Sequence, residues 1–438
     1  MRTVKVNEII KSSKINVYSI AIFLILFCTA VMNGVAVNIY GVIVKSLMEE
    51  LQVSTTVAGF LASFQFYGSL IGAVLFPWIG TKIGSKGTIV LSALITTGTT
   101  LLMSVTGNVY VFAVCRALCG MSSVGLIPCV IGHVTEYAPG KAQSVMLTTA
   151  SAGMALGGTL VGFVGGMLMG QLGWRGLMRI QLIMLVFIAL FIVFVPDSAA
   201  SYLRQGKLNE YAKILPRINP AFKPQEGDVY EVNAESKVKQ SYTELFKHGL
   251  ARTTILLGIA AILTMFVNFG LQTMFPLIFG GMGFEESQSA YFLSLFNLAA
   301  FVGMPLSGVL SEKFSCKNVL TVQYLVVSAL FFCIRFVSGS VAMGLLVFVI
   351  GIAFNGIHAA RNCYAVESFP LSLSSLALGY AIMMANVGSS IGPTVSGVLL
   401  GTNLSSVNIF ALYIIPLLGA MLAIRLVNTK KYEEQPNA

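Results

Sequence analysis

The sequence predicts an all-α membrane protein whose twelve transmembrane helices form two six-helix repeats. Three features predict it: a scarcity of charge, twelve long apolar runs, and a second half that aligns on the first. Of the 438 residues, 56% are hydrophobic and only 10% are charged, with a mean hydropathy of +0.84. A soluble domain carries about 25% charged residues. So few charges cannot cover a water-soluble surface of this size, so lipid has to be the solvent for much of the chain.

A helix that crosses a bilayer needs roughly 20 mostly apolar residues. Such runs lie at about 17–43, 55–79, 88–106, 108–131, 144–170, 176–195, 252–280, 288–310, 318–338, 341–365, 374–400 and 405–427. The basic, polar start to Lys14 leads straight into the first run with no small-residue cleavage site. A retained first helix is therefore expected, not a signal peptide. A polar stretch from Asp197 to about Gly249 separates six runs from six. The expected organisation is an N-terminal six-helix half at 1–196, a cytosolic central loop at 197–250 and a C-terminal six-helix half at 251–438.

The net charge of +10 could mean nucleic acid, but its placement argues otherwise. With the N-terminus in the cytoplasm, 22 of the 27 Lys and Arg fall on the inner side. Only Lys45, Arg116, Arg175, Arg179 and Arg335 do not. Basic loops stay cytoplasmic. A multi-pass protein of the plasma (inner) membrane with both termini cytoplasmic is expected. Its basic side faces anionic lipid headgroups, with no nucleic-acid partner.

The seven cysteines form no C-x-x-C pair, so neither a zinc site nor a disulfide framework is signalled. No P-loop glycine–lysine motif is present to couple ATP. No nucleophile–base or metal-ligand spacing stands out. Neither an enzyme, a cofactor nor a metal is expected.

The halves repeat. At an offset of 231, Lys82 and Lys86 map onto Lys313 and Lys317, Gly120 and Gly125 onto Gly351 and Gly356, and Glu136 and Pro139 onto Glu367 and Pro370. The offset then grows to 235, where Gly153-x-x-x-Gly157-Gly158-Thr159-x-x-Gly162 matches Gly388-x-x-x-Gly392-Pro393-Thr394-x-x-Gly397. Two parallel six-helix repeats with a midplane site between them are transporter architecture. Glycine at every fourth position lets helices approach closely.

These segments resemble the major facilitator superfamily over nearly the whole chain, and more narrowly its aromatic acid:proton symporter branch. The first span carries Asn33-Gly34-Val35-Ala36 and Ile39-Tyr40-Gly41, where the branch has D-G-x-D and Y-G. The 2–3 loop reads Thr81-Lys82-Ile83-Gly84-Ser85-Lys86 against D-R-x-G-R-K, with a second copy at Glu312-Lys313-Phe314-Ser315-Cys316-Lys317. Arg116-x-x-x-Gly120, Glu136-Tyr137-Ala138-Pro139, Gly173-Trp174-Arg175, Pro196-Asp197-Ser198, Phe354-Asn355-Gly356 and Glu367-Ser368-Phe369-Pro370 complete the likeness. The resemblance implies a secondary active or facilitative transporter of a small organic anion, an aromatic or other monocarboxylate, working by alternating access. It also implies gating roles for the cytosolic residues Lys82, Gly84, Lys86, Glu136, Glu312, Lys313, Lys317 and Glu367.

The departures matter. Asn33 and Ala36 stand where the branch has the aspartates thought to serve proton coupling and substrate handling. Thr81, Gln143, Ser372, Ser374 and Asn386 stand for charged residues of the pattern, while His358 and Arg361 are gained in the tenth span.

An ionisable group at membrane depth is a functional candidate. The 17 acidic residues can all be placed in loops or at helix ends, so intramembrane charge is basic and the partner sought is an anion. Arg116 lies about eight residues into its span, roughly 12 Å below the outer face. A guanidinium grips a carboxylate bidentately. Asn355, His358 and Arg361 form a polar stripe, although Arg361 could instead snorkel to the inner interface. Asn33, Asn38, Tyr40, Gln65, Asn268 and Gln272 add neutral hydrogen bonders that serve either as ligand contacts or as helix–helix glue. With no titratable first span, either His358 carries a coupling proton or transport is uncoupled or anion-exchanging. The expected partners are an anionic small molecule, lipid and, as a candidate, protons, with the chain a monomer. The competing readings are a drug or metabolite efflux antiporter and a non-transporting receptor on the same fold.

Overall fold

The computed structural model describes residues 3–140, 142–204, 208–222, 229–231, 241–247, 249–402 and 404–427. Lys141, Lys430, Lys431 and several basic residues of the 197–250 segment lie outside the described residues. The chain is helical almost throughout. Its main helices are α1 (Val17–Asn38), α2 (Tyr40–Leu51), α3 (Thr55–Val105), α4 (Val109–Tyr137), α5 (Gln143–Arg179) and α6 (Ile183–Phe194). After the central segment come α7 (Ala251–Gln272), α8 (Phe275–Gly280), α9 (Glu286–Leu298), α10 (Ala300–Phe314), α11 (Cys316–Cys333), α12 (Ser340–Glu367), α13 (Ser374–Leu400) and α14 (Ser406–Leu426). One short parallel strand pair joins Thr3–Lys5 to Val229–Glu231.

Among the described residues, ten helical stretches are long and apolar enough to cross a membrane. Two of the ten are broken by a glycine in the left-handed region. Thr55–Val105 breaks at Gly84 (φ 77, ψ 171) and Val145–Phe194 at Gly173 (φ 63, ψ 174). Helix starts are set by local chemistry. Asn108 accepts from the Tyr110 and Val111 amides at the head of α4, and Glu285 with Gln288 forms a capping box before α9. Val17, Ile71, Val186, Val193, Leu345 and Ile415 are exposed, the opposite of a water-facing pattern and what a lipid solvent requires.

The described backbone divides into two compact units. Unit one holds Met1–Val37, Tyr67–Gly158 and Arg175–Lys237, and unit two holds Asn38–Phe66, Thr159–Trp174 and Val238–Ala438. Inside unit one, α3 and α4 touch at Gly72, where a Cβ would collide with the Met121 carbonyl. Inside unit two, α10 and α12 touch at Gly303, where a Cβ would collide with the Ile352 carbonyl. Both partners are displaced by the same 231 residues seen in the sequence. In unit two, Ser63 Oγ meets Thr394 Oγ1 at 2.8 Å, Ser294 Oγ donates to the Thr159 carbonyl at 2.9 Å, and Ser46 Oγ donates to Glu286 at 2.8 Å. These bonds hold α2, the start of α3 and the end of α5 against α9 and α13.

Candidate functional site

Among the described residues, only two side chains that are charged at neutral pH are buried: Arg116 at 1% exposure and Arg361 at 2%. No described Asp or Glu is buried with them. Taking a guanidinium out of water costs several kcal/mol unless an anion and hydrogen bonds replace the solvent.

The arginine of unit two sits in a polar cluster built by two helices. On α7, Asn268 and Gln272 are one turn apart and share a face, as i, i+4 residues do. Gln272 Nε2 donates to Asn268 Oδ1 at 2.7 Å, and Asn268 Nδ2 lies 3.3 Å from His358 Nε2 on α12. With the amide donating, Nε2 is the acceptor and the neutral ring carries its proton on Nδ1. Arg361, three residues on, lies within electrostatic reach of His358. Its Nη2 donates to Asn362 Oδ1 at 3.3 Å, whereas Nε and Nη1 have no hydrogen-bond partner among the described residues. Tyr324, whose hydroxyl is 2.6 Å from Thr264 Oγ1, lies within electrostatic reach of Arg361. Aromatic pairs each place a ring on one of these two helices, and one ring, Phe354, meets His358. Phe66 and Phe269 pack at 4.5 Å between centroids, and Phe354 lies 6.3 Å from the His358 ring and 6.0 Å from Phe296.

Asn355 belongs to packing. Its Nδ2 donates to the carbonyls of Phe296 and Gly351 at 3.0 and 2.9 Å, tying α12 to α9. Tyr40 likewise donates its hydroxyl to the Ala58 carbonyl at 2.7 Å, tying α2 to α3. Gln65 is buried on α3, and Asn38 is half-buried at the end of α1. In unit one, Arg116 is buried on α4. Asn33 is 1% exposed, with neither amide atom bonded among the described residues. That position can accept a polar ligand or a water.

The residues expected to gate form a second constellation inside unit one. Gly84 is left-handed, and a Cβ there would press on Ser201 Oγ at 2.7 Å and Asp197 Oδ2 at 3.1 Å. Asp197 accepts from the Lys86 amide (3.2 Å), the Ser198 amide (2.7 Å) and Ser201 Oγ (2.6 Å). Lys86 Nζ donates to the carbonyls of Ile192 and Val195 at 2.8 and 2.6 Å, closing the C-terminus of α6. Glu136 accepts from the Ala199 amide at 2.8 Å. Lys82 lies 3.9 Å over the Trp78 ring. In unit two, Ser315 repeats the positive φ of Gly84 (φ 64), and Lys317 Nζ donates to the Val427 carbonyl at 2.6 Å, closing α14 as Lys86 closes α6. Glu312, Lys313 and Glu367 are exposed.

Asp197 stands in the sequence only as part of the Pro196-Asp197-Ser198 motif, with no role of its own. It is the hub of the unit-one constellation, with an acidic oxygen opposite the Gly84 turn as the signal. The sequence also does not show a soft ligand cluster of Cys316, Cys363 and Glu367, because Cys316 is far in sequence from the other two. Two apolar grooves, one along Tyr291, Phe292, Gly344 and Phe348 and one along Phe266, Leu399, Tyr413 and Pro416, offer almost no polar atoms to recognise a charged ligand.

The chain is 25% identical to the benzoate transport protein of Acinetobacter baylyi, over 99% of this chain and 95% of that protein. It is 23% identical to the 4-hydroxybenzoate transporter PcaK of the same organism (95% and 92%) and 22% identical to the gentisate transporter of Corynebacterium glutamicum (85% and 80%). Among solved structures it superposes on a D-xylose-proton symporter with a TM-score of 0.72 at 16% identity, covering 94% of this chain and 99% of that one. It also superposes on a bacterial homolog of the human lysosomal transporter Spinster, inward-facing and unoccupied, with a TM-score of 0.70 at 16% identity (94% and 98%). The family model described as Major Facilitator Superfamily matches residues 26–358 and 259–438. With helices throughout, ten apolar stretches and that match spanning most of its length, this chain belongs to the Major Facilitator Superfamily.

Proposed function

We propose that this protein carries a small aromatic monocarboxylate across the inner membrane by alternating access, and that the carboxylate is held by Arg361 with His358, Asn268 and Gln272. The observation that carries this reading is the Arg361 guanidinium: buried, with Nε and Nη1 unpartnered and no buried carboxylate beside it among the described residues. A carboxylate supplies the charge and acceptors that those N–H groups lack. The rings of Phe66, Phe269, Phe296 and Phe354 suit an aromatic body, for which edge and stacked contacts contribute about 0.5–1.5 kcal/mol each. Relatives named for benzoate, 4-hydroxybenzoate and gentisate support that substrate class. Arg116 is proposed as the buried cation of unit one with a substrate or gating role, and Asn33 as a polar contact there.

The breaks at Gly84 and Gly173 would divide two of the ten stretches and give twelve spans in two six-helix halves, with 197–250 as the cytosolic segment between them. The matched contacts at Gly72 and Gly303 and the matched turns at Gly84 and Ser315 support the repeat. The bonds Ser63–Thr394 and Ser294–Thr159 would then join one half to the other at a gate that parts during alternation. We propose that the protein acts as a monomer with both termini cytoplasmic. A phosphatase that folds only in the periplasm, fused after Ala438, is expected to be inactive, and an active fusion would overturn this orientation.

Proteoliposome counterflow tests the function. Vesicles preloaded with unlabelled benzoate are expected to take up labelled benzoate transiently, and preloaded acetate or a neutral benzamide is expected to drive at least tenfold less. Equal exchange with benzamide would remove the anion reading, and no exchange with any of a panel of aromatic acids would remove the substrate class.

A further inference from the structure

We propose that Cys316, Cys363 and Glu367 form a binding site for a soft divalent cation of the Zn²⁺ or Cd²⁺ kind, which fastens the start of α11 to the end of α12. The ligand atoms of the three residues lie within 4.8 Å of one another, and Cys363 Sγ is already 3.4 Å from Glu367 Oε1. Zinc–sulfur bonds of about 2.3 Å and zinc–oxygen bonds of about 2.0–2.2 Å place tetrahedral ligand atoms roughly 3.5 Å apart. The three residues therefore need only a small contraction to close on an ion.

The fold builds this arrangement from two fixed parts. Cys363 and Glu367 are i, i+4 on α12 and share a face. Cys316 is the first residue of α11, presented by the left-handed turn at Ser315 (φ 64), a conformation a non-glycine residue holds only at a cost of about 1 kcal/mol or more. Two thiols and one carboxylate are a soft-leaning donor set, which selects zinc-class ions over magnesium or calcium. On binding, each thiol gives its proton to water and its sulfur lone pair to the metal. One M²⁺ replaces two H⁺, leaving the M²⁺–dithiolate–carboxylate centre with a net charge of −1 and a fourth position open to water.

The other repeat position provides the contrast. At an offset of 231, Cys316 and Cys363 correspond to Ser85 and Gly132, and only the carboxylate persists as Glu136. There Ser85 Oγ lies 2.8 Å from His133 Nδ1 and Glu136 is spent on the Ala199 amide. The same backbone arrangement thus exists twice, but the thiols that can hold a soft ion occur in one copy. The site is independent of the proposed substrate, because none of its residues touches the Arg361 cluster's hydrogen bonds.

The test is a Cd²⁺ titration of the full-length, reduced protein in lipid nanodiscs, read by the thiolate-to-cadmium charge-transfer absorbance. Competition of Zn²⁺ against a chromogenic chelator gives affinity. One ion per chain is expected at micromolar or lower concentration. Cys316→Ser and Cys363→Ser should each weaken binding at least a hundredfold, and Glu367→Gln about tenfold. Cys333→Ser, which removes an exposed thiol at the other end of α11, should leave the titration unchanged. A full charge-transfer band in the Cys316→Ser/Cys363→Ser double variant would overturn the proposal. So would the lack of one-to-one binding by wild type at tens of micromolar.

Discussion

Replacing Arg361 with alanine is expected to raise the dissociation constant for an aromatic carboxylate about a hundred- to a thousandfold, and Arg361→Lys should recover only part of the loss. Truncating one partner of a buried, hydrogen-bonded charge pair costs about 2–5 kcal/mol, and each 1.4 kcal/mol is tenfold. Lysine restores the charge but not the planar fork that engages both carboxylate oxygens. Arg361→Met separates this role from a structural one. A buried charge replaced by an apolar side chain of similar volume is often neutral or stabilising by about 1–4 kcal/mol. The methionine variant should therefore melt no lower than wild type while losing binding, two effects of opposite sign. Unchanged substrate affinity in the alanine and lysine variants alike would leave Arg361 as packing only. Arg116→Lys is the parallel measurement in unit one, read by the same binding assay.

The helices were legible because each bilayer crossing needs a long apolar run, and runs of that length leave little ambiguity. Of the residues paired at an offset of 231, Lys86 and Lys317 each close the C-terminus of a helix by donating to its last carbonyls, and Gly72 and Gly303, a pair not singled out in the sequence, each sit against a neighbouring helix backbone. What the separate apolar runs 55–79 and 88–106 did not show is that the residues between them stay helical and meet at a left-handed glycine. The stretch around Gly84 stays helical on both sides, so its break is a matter of one φ angle.

For the site, sequence could find polar residues on apolar helices but not their partners. Asn355 and Asn268 look alike in the sequence. One spends its amide on the Phe296 and Gly351 carbonyls, while the other links Gln272 to His358. Arg361 could have reached a membrane interface, and its burial is what argues against snorkelling. The Cys316–Cys363–Glu367 cluster was invisible for the same reason, because proximity across two helices leaves no spacing to read.

The second large effect concerns the driving force. Asn33 and Ala36 cannot titrate, and Glu136, half-buried, already accepts from the Ala199 amide, so another group is proposed to carry a proton that drives uptake. His358 is the proposed carrier. Its neutral Nε2 accepts from Asn268 Nδ2, while Asn268 Oδ1 accepts from Gln272 Nε2. A proton added at Nε2 turns that acceptor into a donor, and two donors then face each other. The conflict is relieved if the Asn268 amide turns over to offer its oxygen, which frees the Gln272 amide in turn. Protonation is thus written into the orientation of two amides next to Arg361. An anion bound by Arg361 attracts the proton to His358, and the proton strengthens the hold on the anion by the same factor, as linkage requires. His358→Gln should keep a neutral hydrogen bonder of similar reach but lose the charge change. Counterflow, which needs only substrate on both sides, is expected to persist within about threefold. Accumulation driven by an imposed pH gradient is expected to vanish. Wild-type vesicles that accumulate benzoate under that gradient, with His358→Gln doing so equally well, would place the proton elsewhere. Wild-type vesicles that exchange benzoate but never accumulate it would show transport to be uncoupled from protons.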